Sequence, residues 1–148
     1  MAPLREIATP SEVVDGDTLR LEDGRRVRLV QIDAPEQASE CHGEAARRAL
    51  ERLVAPGTRI ELERDPALDD VDEHGRLLRY VLVDGVNVNL RLVELGAAAP
   101  YFFRGERGRH ADRMLELARR ARGQARGLWG DCPGARLEPA LGALTGPA

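Results

Sequence analysis

Residues 17–33 read DTLRLEDGRRVRLVQID, and this stretch decides the fold. Apolar residues alternate with polar ones through 18–22 and again through 26–32, the period of a strand with one buried face. Asp23-Gly24 lies between the two runs, and an Asp-Gly pair flanked by alternating residues is a strong hairpin signal. The two runs are therefore antiparallel neighbours. The hairpin also brings its own ends together, which places Asp17 near Asp33 and near Glu36 just beyond it.

Working outward, three more stretches read as strands: 5–14, 58–64 and 76–83. Between the third and fourth strands, residues 43–55 carry Ala45, Ala49, Leu53 and Ala46, Leu50, Val54 at helical spacing, with Pro56-Gly57 as a stop. A shorter helix is expected from Asn89, as its N-cap, to Glu94 or Leu95, with Gly96 just past its end. A third has His110, Met114, Leu117, Ala118 and Ala121 as its apolar stripe, and Gly127 or Gly130 is expected to end it. From Pro133 onward only Arg136 and Glu138 are charged, which reads as a flexible C-terminal tail, 133–148, after one domain, 1–132. Five strands, a helix after the third and helices after the fifth give the element order of an α+β fold built on a five-stranded Greek-key barrel of the OB type. Other α+β layouts share that order.

Composition narrows the function. In 148 residues there are 22 cations, all of them Arg, against 25 acids, for a net charge of −3, so a polybasic nucleic-acid coat is excluded. Arg is the residue for bidentate phosphate contacts. The charge is divided: residues 1–100 carry a net −7 and residues 101–148 a net +4. Tyr80, Tyr101, Phe102, Phe103 and Trp129 are all the aromatics, too few for an extended base-stacking platform. No apolar run approaches a membrane span, and residues 1–9 lack the pattern of a secretory signal, so the chain is expected to be cytosolic or a processed form. Cys41 and Cys132 have no metal-ligand spacing and are either a long-range disulfide or two separate thiols. The same holds for His42, His74 and His110, which are read as surface or core residues.

Polar residues concentrate at Asp15-Gly16-Asp17-Thr18, at Arg28, at Asp33-Ala34-Pro35-Glu36 and at Asp72-Glu73-His74-Gly75-Arg76. Each alone is an ordinary turn or a solvated strand residue. Together they differ, because the 17–33 hairpin makes the carboxylates of Asp17, Asp33 and Glu36 converge. Three packed carboxylates repel unless a cation joins them, and a hard ion such as Ca²⁺ takes carboxylate, carbonyl and water oxygens. Arg28 and Arg76 then offer two guanidinium forks to a phosphate beside that ion. Carboxylates, metal and two Arg describe a phosphodiester-cleaving site.

The motifs VVDGDTLRL (13–21), RLVQIDAPE (28–36), DEHGRLLRYV (72–81), the Val88–Ala98 stretch and GLW at 127–129 resemble the staphylococcal nuclease, or thermonuclease, family over roughly residues 6–130. That resemblance implies a calcium-dependent, sugar-nonspecific endonuclease that hydrolyses DNA and RNA to 3′-phosphate products, a monomer with no membrane partner. It implies that Asp17, Asp33 and the Ala34 carbonyl hold Ca²⁺, that Thr18 and Glu36 hold metal-bound waters, that Glu36 activates the attacking water, and that Arg28 and Arg76 contact the scissile phosphate. Tyr101, Phe103 and Arg104 lie where other members place substrate-contacting residues. The chain departs from the pattern at Ala34, often Thr, and at Glu73 and His74, often Lys and Tyr. Cys41 and Cys132 match positions at which secreted bacterial members carry cysteines, which implies a disulfide and an extracellular location. Nuclease-like modules of the same fold that bind nucleic acid without cleaving it are the alternative, but they have commonly lost the acidic residues retained here.

Overall fold

The computed structural model describes residues 4–36 and 39–147. In chain order it has β1 (Arg5–Ala8), β2 (Pro10–Asp15), β3 (Thr18–Leu21), β4 (Arg26–Leu29), β5 (Ile32–Asp33), α1 (Gly43–Leu53), β6 (Ile60–Glu63), β7 (Leu77–Val83), β8 (Val86–Asn87), α2 (Val88–Leu95), β9 (Ala99–Pro100), α3 (Ala111–Gly123), α4 (Leu128–Asp131), β10 (Arg136–Glu138) and β11 (Gly142–Leu144). The main sheet runs β1-β6-β7-β4-β3-β2, with β8 added to β7. Only the β4–β7 pair in it is parallel. β1 and β2, the two ends of that path, are consecutive halves of one run broken only at Thr9, so the chain itself joins the sheet's edges in the OB manner. The expected strand 5–14 is thus two strands, because Pro10 has no N–H for the ladder and the run turns there from β6 to β3.

The Asp23-Gly24 hairpin forms as read, with Thr18 opposite Arg28 and Leu19 opposite Val27. Leu19, Val27, Leu29, Ile60, Leu62 and Tyr80 close the barrel interior, and Leu50 of α1, Leu92 of α2 and Met114 of α3 cap it. The expected run 26–32 is interrupted. Gln31 takes a left-handed conformation (φ 69°), and its amide accepts from Gly108 N–H at 2.8 Å and donates to the Glu106 carbonyl at 3.0 Å. After this turn Ile32 and Asp33 leave the barrel and pair antiparallel with Ala99–Pro100 of β9.

Two helix boundaries differ from expectation. Asn87, not Asn89, caps α2, its side chain accepting from Leu90 N–H. Asn89 is fully buried in the first turn, where its amide accepts from Val81 N–H and donates to the Val30 and Arg79 carbonyls, stapling α2 to the barrel. Helix α3 stops at Gly123, before Gly127 or Gly130, since the chain turns at Ala125 and Leu128 N–H bonds the Gly96 carbonyl at the end of α2. Part of the segment read as a flexible tail, 133–148, carries regular structure. Residues 136–144 form a hairpin, β10 against β11, and Phe102 N–H donates to the Pro139 carbonyl within it. Cys41 and Cys132 are joined as a disulfide across 91 positions. Among the described residues no helix is long and apolar enough to cross a membrane.

Candidate active site

The turn 15–18 and the segment 33–36 meet over the N-terminal half of α1. Gly16 permits that approach, because a Cβ there would stand 2.8 Å from the Ala34 Cβ and 2.9 Å from that of Ala46. Asp17, in the turn just before β3, is buried, and its Oδ2 accepts from Ala34 N–H at 2.8 Å while Oδ1 accepts from Thr18 Oγ1 at 2.9 Å. Arg28 comes from the paired strand β4. Its Nη1 donates to the Leu29 and Ile32 carbonyls, both at 2.7 Å, which fixes the guanidinium plane. Its Nη2 lies 3.4 Å from Asp17 Oδ2 and 3.2 Å from Asp33 Oδ1. Asp33 has its other oxygen, Oδ2, on the N–H of Ala143 at 2.8 Å.

The carboxylates outnumber the cations here. Burial pushes the Asp33 carboxyl up to about 6, with Asp17 and Glu40 adding to the rise and the Ala143 N–H and Arg28 opposing it. Glu40 is raised by burial and by Glu36 and Asp17. Glu36 itself is exposed, with Ser39 Oγ on its Oε2 at 3.2 Å. The structure thus brings Asp17 and Asp33 together around one guanidinium and leaves Glu36 at the solvent edge, with Glu40 between. Among the described residues no three acidic, His or Cys side chains share one metal-binding position. The donor set still fits a hard divalent cation: two carboxylates in a pocket short of positive charge, with the Ala34 backbone between them. Remaining positions on such an ion fall to water.

Arg28 also lines a cleft of about 410 Å³ that reaches Arg76, Tyr101, Phe103 and Arg104. Arg76 is oriented by Asp72, whose Oδ2 accepts from Arg76 Nε at 2.7 Å and whose Oδ1 accepts from the N–H groups of His74 and Arg76. Hydrogen bonds from Arg76 and His74 hold the Asp72 carboxyl below the usual range against its partial burial. Tyr101 and Phe103 stand on one wall with ring centroids 6.4 Å apart, and the Arg104 guanidinium lies 4.9 Å from the Phe103 centroid. Phe102 between them is buried, and Phe103 is exposed. Glu73 and His74 also line the cleft, so a carboxylate stands beside its cations.

Two of the three histidines lie outside this arrangement. His42 pairs with Asp131 at 2.8 Å beside the disulfide, and His110 packs edge-on against Tyr80. Sequence reasoning missed Gln31, Glu40 and Ala143, and it placed Asp72 in the 72–76 stretch without giving it a role. Gln31 was visible as a lone polar residue in an apolar run and Asp72 as a carboxylate four residues before Arg76. Glu40 and Ala143 carry no local signal.

A family model described as "Staphylococcal nuclease homologue" matches residues 26–131. Among curated proteins, the chain is 39% identical over 134 residues to "Protein ParB" of Escherichia coli, covering 80% of this chain and 70% of that one. It is 38% identical over 124 residues to an "Uncharacterized endonuclease" of Escherichia coli O157:H7, covering 80% and 74%. It is 33% identical over 100 residues to "Thermonuclease" of Staphylococcus intermedius, covering 62% and 57%.

Proposed function

The chain belongs to the staphylococcal nuclease family, and from that premise we propose that it is a calcium-dependent endonuclease acting on DNA and RNA and leaving 3′-phosphate ends. The observation that carries this reading is the Asp17–Arg28–Asp33 junction opening onto the cleft that also holds Arg76. A pure nucleic-acid binder gains nothing from one buried and one half-buried carboxylate next to a polyanion.

In this reading Asp17, Asp33 and the Ala34 carbonyl hold Ca²⁺, and Thr18 fixes Asp17 through its hydroxyl. Bound there, calcium supplies an electrophile that polarises a phosphoryl oxygen and gathers water. Arg28 and Arg76 take the non-bridging oxygens and stabilise the charge that grows on them. Arg28 is suited to this because only Nη2 faces the candidate metal ligands, so that nitrogen turns to phosphate once those carboxylates are otherwise neutralised. Glu36 accepts a proton from the attacking water. The water oxygen bonds to phosphorus, the bond from phosphorus to the 5′ oxygen breaks, and that oxygen takes a proton from solvent water and leaves as a hydroxyl while Glu36 returns its proton to solvent. Tyr101, Phe103 and Arg104 flank the nucleotide. The disulfide supports an oxidising location outside the cytoplasm, since such bonds do not persist among reducing thiols.

Product chemistry tests the reading. Fragments from calcium-dependent digestion of single-stranded DNA should accept a 5′ label directly by kinase without prior phosphatase treatment, because they carry 5′-hydroxyls. Fragments that need phosphatase first would assign the opposite bond.

A further inference from the structure

The hairpin β10–β11 leaves the barrel at Cys132 and returns to the residue bonded to it. Cys132 is tied to Cys41 by the disulfide, and at the far end the Gly146 carbonyl accepts from Cys41 N–H at 2.9 Å while Pro147 bridges Glu40. Residues 133–147 thus form a strap with both feet on one segment, 40–41. Its middle crosses Asp33. Ala143 N–H donates to Asp33 Oδ2 at 2.8 Å, and a Cβ on Gly142 (φ 83°) would stand 2.5 Å from that same oxygen. Beyond it Thr145 is buried with its Oγ1 beside Glu40 but outside hydrogen-bond geometry.

We propose that this disulfide-pinned strap is a wall of the calcium site, with the Ala143 N–H as a positioning group that fixes the Asp33 carboxylate and sets the affinity for Ca²⁺. The proposal rests on the calcium reading above. Its physical basis is that a ligating carboxylate needs an outer partner on the oxygen it does not give to the metal, and loss of such a partner commonly weakens binding about tenfold to a hundredfold. Asp33 needs one more than most, because it lies on a two-residue strand after the Gln31 turn, paired only with the equally short β9. The Ala143 N–H points away from β10, so the hairpin does not depend on it. The strap therefore spends a donor on the site rather than on itself.

The test is a Ca²⁺ titration of the full-length oxidised protein by calorimetry, with thermal unfolding measured alongside. Ala143→Pro deletes the N–H at an edge position that tolerates proline, and Gly142→Ala presses on the same carboxylate from the neighbouring residue. Both should weaken Ca²⁺ binding about tenfold or more; the metal-free unfolding temperature of Ala143→Pro should stay close to that of the parent, whereas that of Gly142→Ala should fall, because φ 83° strains any side chain there. Leu141→Ser, at the exposed tip of the hairpin, should bind Ca²⁺ as the parent does. Parent-like affinity in Ala143→Pro and Gly142→Ala would overturn the strap's role and leave the nuclease reading intact. A parent protein that binds no Ca²⁺ would overturn both.

Discussion

Asp17 and Asp33 are held to a single nitrogen: Arg28 Nη2 lies 3.4 Å from an oxygen of the first and 3.2 Å from an oxygen of the second. One guanidinium offsets the buried Asp17 and the half-buried Asp33 only in part, and Glu40 adds to the imbalance. The metal-free site is therefore a strained arrangement of charge, and removing one acid relieves it.

Asp33→Asn should accordingly separate stability from binding. The amide oxygen still accepts the Ala143 N–H, and the repulsion with Asp17 disappears. Without calcium the variant should unfold at or above the parent's temperature, yet calcium should no longer raise that temperature. Differential scanning calorimetry with and without Ca²⁺ checks this, and a metal-free variant much less stable than the parent would count against charge crowding.

Arg76→Ala addresses the cleft. The side chain makes a partly buried ion pair with Asp72, so its loss leaves that carboxylate short of a partner and should cost some stability; turnover is therefore compared at a temperature where the variant is folded. The substitution should lower turnover about 10²- to 10³-fold, the scale of removing one preorganised charge-stabilising donor, with Ca²⁺ affinity unchanged. Asp72→Asn should lower turnover less, since it loosens Arg76 without deleting it. Rates on a single-stranded oligonucleotide at saturating substrate decide both, and an undiminished rate in Arg76→Ala removes that residue from the mechanism.

Much of this arrangement was legible in the sequence, and the limits have physical reasons. The Asp-Gly turn and the alternation on either side fixed the register of β3 on β4, and with it the meeting of Asp17, Arg28 and Asp33. The turn at Gln31 was hidden because its cause is tertiary: the amide is held by Gly108 and Glu106, more than 70 positions away. Asn89 looked like a cap because Asn favours caps, but Asn87 satisfies the helix start and frees Asn89 for the core. The strap escaped notice because Pro, Gly and Ala give a hairpin little periodicity, and because what holds it is a disulfide and a carboxylate distant in the chain.

The disulfide closes a loop of 91 residues, and the chain-entropy estimate for that length is about 4 to 5 kcal/mol of stability. Cys41→Ser with Cys132→Ser should lower the urea midpoint correspondingly. The oxidised parent should show no reactive thiol even when unfolded, and two titratable thiols in denaturant would contradict the pairing.

Acid should unfold the protein partly through Asp65. Burial opposes its charge, but bonds from Tyr80 Oη (2.7 Å) and from the N–H groups of Arg109 and Ala67 outweigh that and hold the carboxyl below its ordinary value. A carboxyl lowered in the folded state stabilises it above its unfolded pKa of about 4, and this stabilisation is lost as pH falls through the folded value. Asp65→Asn should therefore be less stable than the parent at pH 7, and the gap should narrow below about pH 4. A gap independent of pH would assign the effect to packing alone.

The most direct test is the rate of single-stranded DNA cleavage in Ca²⁺ and in excess chelator, for the parent and for Glu36→Gln. The reading predicts cleavage by the parent only with calcium, and a rate lower by about 10²-fold or more in Glu36→Gln under conditions where that variant still binds Ca²⁺. Cleavage that persists in chelator, or a fully active Glu36→Gln, would contradict it.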